Sequence, residues 1–171
     1  MRRPSTSRRP ASRGGAVVEL AISALFLLLM VFGIVDFGRA LLMRHAITSM
    51  SREAANLESR GTPMATTLQS TIDASGAANL GVNGYVILTA VERDQRGRLS
   101  ITKQLAGGGV PQTSHVGTQG STQITLPNSG VPLRGQTLYV AEIFVRFTPV
   151  TPIGELVQAT LPSMLYDVAY F

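Results

Sequence analysis

Residues 13–35 read RGGAVVELAISALFLLLMVFGIV, and this stretch decides the fold. Within residues 16–35, Glu19 and Ser23 are the two residues that are neither apolar nor glycine. A helix of about 20 apolar residues crosses a bilayer core of about 30 Å. A cleaved secretory signal has a shorter apolar region that ends at a pair of small residues, and residues 36–40 offer no convincing site of that kind. We therefore predict an anchor that stays in the membrane.

The positive charge of the chain lies ahead of this stretch. The net charge is +5; the first 14 residues hold five arginines and no acid, whereas the remainder has ten basic and ten acidic residues. Such a leader predicts residues 1–14 in the cytoplasm and the rest outside it, although Arg39 and Arg44 weaken the asymmetry. Because the excess charge is local, a nucleic-acid-binding function loses its main support. The chain has no cysteine, so no disulfide can hold its outer part.

The helix is expected to continue beyond the apolar run as an amphipathic segment. Apolar residues recur there at helical spacing: Met43, Ala46, Ile47, Met50, Ala54 and Leu57. Off this stripe lie Arg44, Ser51, Arg52 and Asn56. The sequence Gly61-Thr62-Pro63 predicts the end of the helix. We therefore predict one helix from about residue 15 to residue 60, with a transmembrane half at 15–36 and an outer half at 37–61. Its stripe is expected to pack on this chain's own sheet, with a partner face as the alternative.

Residues 62–171 predict a small extracytoplasmic α+β domain, so the fold class is α+β: a long N-terminal helix packed on a small antiparallel β-sheet. A short helix is expected at 64–74 and a loop at 75–84. Strands are expected at 85–93, 98–105, 138–147 and 164–171, and helical turns at 153–160. Glu142 and Arg146 mark the wetter face of the third strand. Residues 106–136 predict a flexible loop or, alternatively, a binding loop, with a short strand at 124–126 as a further option.

Glu19 is the unusual residue, because a carboxylate within a membrane helix is costly. If the chain were cut between Gly14 and Gly15, Glu19 would be the fifth residue of the product. The new amino group would then lie about one turn away and could neutralise Glu19 in the same chain or in a neighbouring one. Without a cut, the carboxylate would reach back to the interface.

The Gly14 and Glu19 pair, placed between a basic leader and a long apolar helix, resembles the type IV prepilin processing motif. Residues 33–40 (GIVDFGRA) and 52–55 (REAA) resemble the TadE-like minor pilins or pseudopilins of the tight-adherence (Flp) pilus system, and residues 147–171 are loosely similar to that family's tail. Leu20 departs from the Phe or Tyr usual at its position. The doublet Gly14-Gly15 leaves the cut open by one residue, although the spacing to Glu19 favours a cut after Gly14.

This resemblance implies a pilin-like fold and cleavage by a prepilin peptidase on the cytoplasmic side. It also implies partners, namely a second minor pilin, the major Flp pilin and the inner membrane. The processed chain would cross the inner membrane once, with its C-terminal domain in the periplasm, and would enter an adhesive pilus or initiate its assembly. The position within the pilus stays open.

Two other functions are weighed against the pilin. The first is an uncleaved, single-pass periplasmic binding module of an envelope assembly or secretion machine. The second is an enzyme, which the sequence does not favour, because His45 and His115 stand apart from any nucleophile motif or metal-ligand spacing. We therefore expect no catalytic residue, cofactor or metal.

Overall fold

The computed structural model describes residues 13–121, 123–126, 131–154 and 162–171. Its helices are α1 (Arg13–Ser59), α2 (Met64–Asp73) and α3 (Leu80–Asn83), with a 3₁₀ turn at Gly76–Ala78. Its strands are β1 (Gly84–Arg93), β2 (Leu99–Gly108), β3 (Thr137–Arg146) and β4 (Met164–Tyr170). The strands form one antiparallel sheet in the order β2-β1-β3-β4. The predicted α+β class is confirmed, while most of the helical turns expected at 153–160 lie outside the described residues.

Helix α1 has two halves with different surroundings. The residues from 14 to 31 are all exposed. The outer half buries one side, where it packs on β3, β4 and α2. The buried side chains recur every three or four residues and include Asp36, Ala40, Ile47, Ser51, Ala54 and Glu58. One continuous helix therefore joins an exposed apolar rod, residues 14–31, to a folded domain.

The end of α1 is formed by a glycine cap, as the sequence predicted. The Thr62 amide donates to the Leu57 carbonyl at 3.1 Å, and the Gly61 amide donates to the Glu58 carbonyl at 2.9 Å. This pair of bonds is a Schellman motif, which requires a left-handed residue at its centre. Gly61 supplies that residue with φ +88°, and Pro63 follows where the helix can no longer continue.

Replacing this glycine tests the cap. Gly61→Ala should lower the free energy of unfolding by about 1 kcal/mol, because a Cβ is strained in the left-handed region although no neighbouring atom would clash with it. Thermal unfolding of the full chain in detergent would measure the loss. Gly61→Asn is the matched control and should lose less, since asparagine tolerates this conformation. Equal stability of the alanine variant and the wild type would contradict the role of the cap.

The main core lies between the helices and one face of the sheet. It includes Ile47, Ala54, Val86, Leu88, Ile143, Val145 and Phe147. Gly107 faces α2, and a Cβ there would approach the Leu68 side chain to 3.2 Å. Strand β2 therefore extends to Gly108 with α2 close against it, and the connecting segment begins at residue 109 rather than at the expected 106.

The second face of the sheet is covered by the segment that follows β2. Val91, Ile101, Val116 and Val140 form a separate buried cluster, against which Ile124 and Leu126 pack. The Thr125 amide donates to the Val116 carbonyl at 2.9 Å. Residues 123–126 form no strand, because this one bond does not extend into a ladder.

Burial of Glu142 corrects the expectation that this residue lies on a wet face. Its side chain is fully buried. The carboxylate accepts hydrogen bonds from the Ser114 hydroxyl, from the His115 amide at 2.8 Å and from the Tyr166 hydroxyl at 3.1 Å. Burial and the nearby Glu142 carboxylate raise the pKa of Tyr166 well above its usual value. The acid therefore holds the covering segment on the sheet, while Arg146 is exposed as expected.

Candidate assembly site

The apolar half of α1 presents a large bare surface. The helix is long and apolar enough to cross a membrane, and none of its most apolar stretch is buried inside the protein. Leu20, Phe26 and Ile34 are each about two-thirds exposed (71%, 66% and 69%). An apolar surface of this length is unfavourable in water and is compatible with a membrane anchor or with packing among other helices.

The residues of the predicted processing motif lie near the N-terminus of α1, at the start of its exposed apolar half. Gly14 and Gly15 are in the first turn of α1, and the exposed Glu19 follows one turn later. A rise of 1.5 Å per residue places Gly15 and Glu19 about 6 Å apart along the axis. A Cβ at Gly14 would meet no atom within 4 Å. Gly14, Gly15 and Glu19 are therefore exposed with respect to the part of the domain that the structure describes.

Asp36 connects the apolar half to the domain. Its side chain is fully buried, and its carboxylate accepts hydrogen bonds from the Val150 amide at 2.9 Å, the Thr151 amide at 3.4 Å and the Thr151 hydroxyl. The turn after β3 is thus fastened to α1 where the bare surface ends. Reading the sequence for an anchor missed this contact, although Asp36 shares the helical phase of Ala40 and Ile47.

A second acid fastens β4 to α1. Asp167 accepts hydrogen bonds from the Thr48 hydroxyl at 3.1 Å and from the Ser51 hydroxyl at 2.5 Å. Ser51 was expected off the buried stripe but is fully buried. The buried face of α1 is therefore partly polar. The predicted stripe was defined by apolar residues alone, so it could not include these polar positions.

The five residues predicted to pack along α1 are buried to different degrees. Ile47 and Ala54 are fully buried in the main core, and Met43 and Met50 are partly buried against it. Leu57 is half-buried and lines a shallow groove against α2. The sixth member of the apolar stripe, Ala46, is exposed.

The two histidines lie apart from each other and from the processing motif. His45 is exposed on α1, in an open groove with Arg52 and Phe171. The His115 ring packs edge-on against Phe144, with ring centres 5.4 Å apart. In the part of the chain that the structure describes, no three potential metal ligands come together.

Comparison with known protein families gives a match that lies within α1. Residues 14–56 match a family model described as TadE-like protein. The N-terminal helix is TadE-like. The match covers about a quarter of the chain, from the proposed cut site through Asp36 to the last packed turns of α1. Neither the curated proteins nor the solved structures gave a match. The likeness to TadE-like proteins therefore rests on the N-terminal helix.

The Asp36 contact can be tested by amide exchange. Asp36→Ala should speed exchange of the Val150 and Thr151 amides about tenfold or more, since hydrogen bonds to a charged group contribute about 1.5–3 kcal/mol each. Mass spectrometry of the full chain in detergent would measure it. Glu53→Ala, which removes an exposed acid from the same helix, is the control and should leave both amides unchanged. Unaltered exchange in the Asp36 variant would show that the turn is held by other contacts.

Proposed function

We propose that this chain is a minor pilin or pseudopilin of a Tad-type adhesive pilus. A prepilin peptidase cuts it between Gly14 and Gly15, and the product joins or initiates a pilus through its apolar helix. The observation that carries the proposal is the TadE-like match on a helix whose most apolar stretch is not buried against any described part of the protein. The partners in assembly are a second minor pilin and the major Flp pilin.

The surface of the apolar half supports a role in helix assembly. Glycine costs a helix about 1 kcal/mol relative to alanine. At Gly33 and Gly38 a Cβ would meet no atom within 4 Å, so packing inside this chain does not require either glycine. Close approach of a neighbouring helix is a known use of small residues in membrane helices. Lipid covers the rod before assembly, and other pilin helices cover it afterwards.

The electrostatics of Glu19 support processing. An acid within a membrane helix is disfavoured by up to about 3 kcal/mol. An amino group about 6 Å away contributes about 3 kcal/mol at an effective dielectric constant of 20, which offsets that term. Cleavage creates such a group at Gly15 and also brings Glu19 close to the positive end of the helix dipole. The cut therefore turns an unfavourable acid into a docking charge.

The leader and the helix together support a location and a class of function. The five leader arginines favour a cytoplasmic N-terminus, which puts the α+β domain in the periplasm and, after assembly, on the pilus. The pilus-associated TadE-like family is structural rather than catalytic. We infer that this chain has a structural role and is not an enzyme.

Processing is tested by intact mass. In a host that contains the peptidase, the mature chain should begin at Gly15 and have 157 residues, the full 171 less the 14-residue leader. Gly15→Ala should still be cut and should yield an N-terminal alanine, because the cut follows Gly14. A peptidase-deficient host is the control and should yield the full-length chain. Recovery of only the full-length chain from the competent host would favour the uncleaved periplasmic anchor.

The role of Glu19 is tested by separating insertion from assembly. Glu19→Gln should enter the membrane normally but be incorporated into pili at least about tenfold less, because the charge pair with the new amino group is lost. Quantitative immunoblots of membranes and sheared pili would measure both steps. Glu53→Gln, an exposed acid on the outer half of the same helix, should match the wild type. Normal incorporation of the Glu19 variant would contradict the docking charge.

A further inference from the structure

The buried carboxylate of Glu58 differs from three other acids that connect elements of this fold. Asp36, Glu142 and Asp167 each accept two or more hydrogen bonds from neighbouring donors. Glu58 is 2% exposed, and neither of its oxygens has a hydrogen-bond partner among the described residues. The Thr67 hydroxyl is also unpartnered, but a lone hydroxyl costs far less than a lone carboxylate. Glu58 therefore needs a donor that the described residues of its own chain do not supply.

Glu58 lines a cleft that opens at the C-terminal end of α1. The cleft has a volume of about 290 Å³, and its walls come from α1, the helix cap, the start of α2 and strands β1, β2 and β3. The lining residues that bear on binding are Glu58, Thr62, Thr102, Lys103 and Tyr139. The pairing of β1 with β2 shifts register between Ala90 and Val91, opposite Thr102. This bulge places Thr102 and Lys103 at the cleft, as bulges commonly redirect side chains near binding sites.

The cleft is suited to a positive charge. The C-terminal end of a helix carries a partial negative charge, and Glu58 adds a carboxylate at that same end. Hydroxyl groups of Thr62, Thr102 and Tyr139 provide further acceptors on the walls. The one formal cation among the lining residues, Lys103, is exposed and forms no ion pair with Glu58 within 4 Å. The volume lies just below the usual range for small-molecule sites, so it fits one side chain rather than a cofactor.

We propose that this cleft binds the ammonium or guanidinium group of a basic side chain on a partner subunit, with Glu58 as the counter-ion. The cleft lies about 65 Å along the helix from Gly14, well beyond the membrane half, where only an extracytoplasmic protein surface can reach it. The proposed function is needed only to identify that partner as another pilus subunit. The cation site itself depends on the folded domain alone.

The ionisation of Glu58 makes the site sensitive to pH. Burial raises the pKa of Glu58 to about 7, and the positive charge of Lys103 partly opposes this rise. The titratable groups that face Glu58 across the cleft are Lys103 of β2 and Tyr139 of β3. In the free chain the raised pKa favours the folded state below about pH 4.5, and that contribution is lost as the pH rises to about 7. A bound cation favours the ionised form, so binding should strengthen over the same pH range.

The test uses n-butylammonium chloride, which carries the charged end of a lysine side chain, on the full chain in detergent. At pH 8 it should raise the Tm of the wild type, whereas n-butanol and sodium chloride at equal concentration should not. Glu58→Gln should weaken butylammonium binding by about tenfold or more. Glu53→Gln should bind as the wild type does. At pH 5.5 the wild type itself should lose the effect, which tests the site without any substitution.

Two results would overturn the proposal. One is an equal rise in Tm for the wild type and Glu58→Gln, which would place the ammonium elsewhere. The other is binding that appears only in Lys103→Ala, because Lys103 would then already serve as the counter-ion within the chain. Neither result bears on processing, since intact mass reports the cut between Gly14 and Gly15 independently of this cleft.

Discussion

The rest of the structure depends on one constraint, which is that a single unbroken helix exposes apolar side chains in one half and packs against the folded domain in the other. Residues 14–31 present apolar side chains all round, whereas the outer half of α1 buries one side against the sheet. If the apolar half lies in a membrane, as proposed, a kink or a loop between the halves would expose backbone groups where no water can satisfy them. The domain is therefore fastened directly to the rod, and Asp36 does this at the point where the bare surface ends.

Buried and half-buried carboxylates, rather than disulfides, connect the elements of the domain. The chain has no cysteine, and each paired acid joins elements that are far apart in sequence. Asp36 joins α1 to the turn after β3, Asp167 joins β4 to α1, and Glu142 joins β3 to the segment after β2. All their donors are amides or hydroxyls rather than opposite charges. Such bonds contribute about 1.5–3 kcal/mol each and fix direction more closely than an exposed ion pair does.

Local patterns in the sequence were sufficient to predict the long helix, its end at Gly61 and the four strands. These features depend on apolar spacing and on a glycine that takes a left-handed conformation, and both are properties of neighbouring residues. The burial of Ser51 and Glu142 could not be predicted in this way, because each makes its contacts with residues that are far away in the sequence. Glu142 looked wet only because the segment after β2 carries no apolar periodicity, yet Ser114 and His115 of that segment satisfy it.

Two acids, Glu19 and Glu58, have no hydrogen-bond or ion-pair partner among the described residues and lie near opposite ends of α1, about 60 Å apart by the helical rise. Glu19 lies on the exposed apolar half of α1. Once a membrane or other helices cover that half, as proposed, water is excluded, so a charge pair there is strong and little affected by salt. Glu58 is buried at the wall of a cleft, and its charge pair depends on the ionisation of a carboxyl whose pKa is raised by burial to about 7. A neighbouring subunit with a positive charge opposite each acid would be held firmly at Glu19 and reversibly at Glu58. The first contact would then set the position of a subunit along the axis, and the second would select which subunit stands beside it.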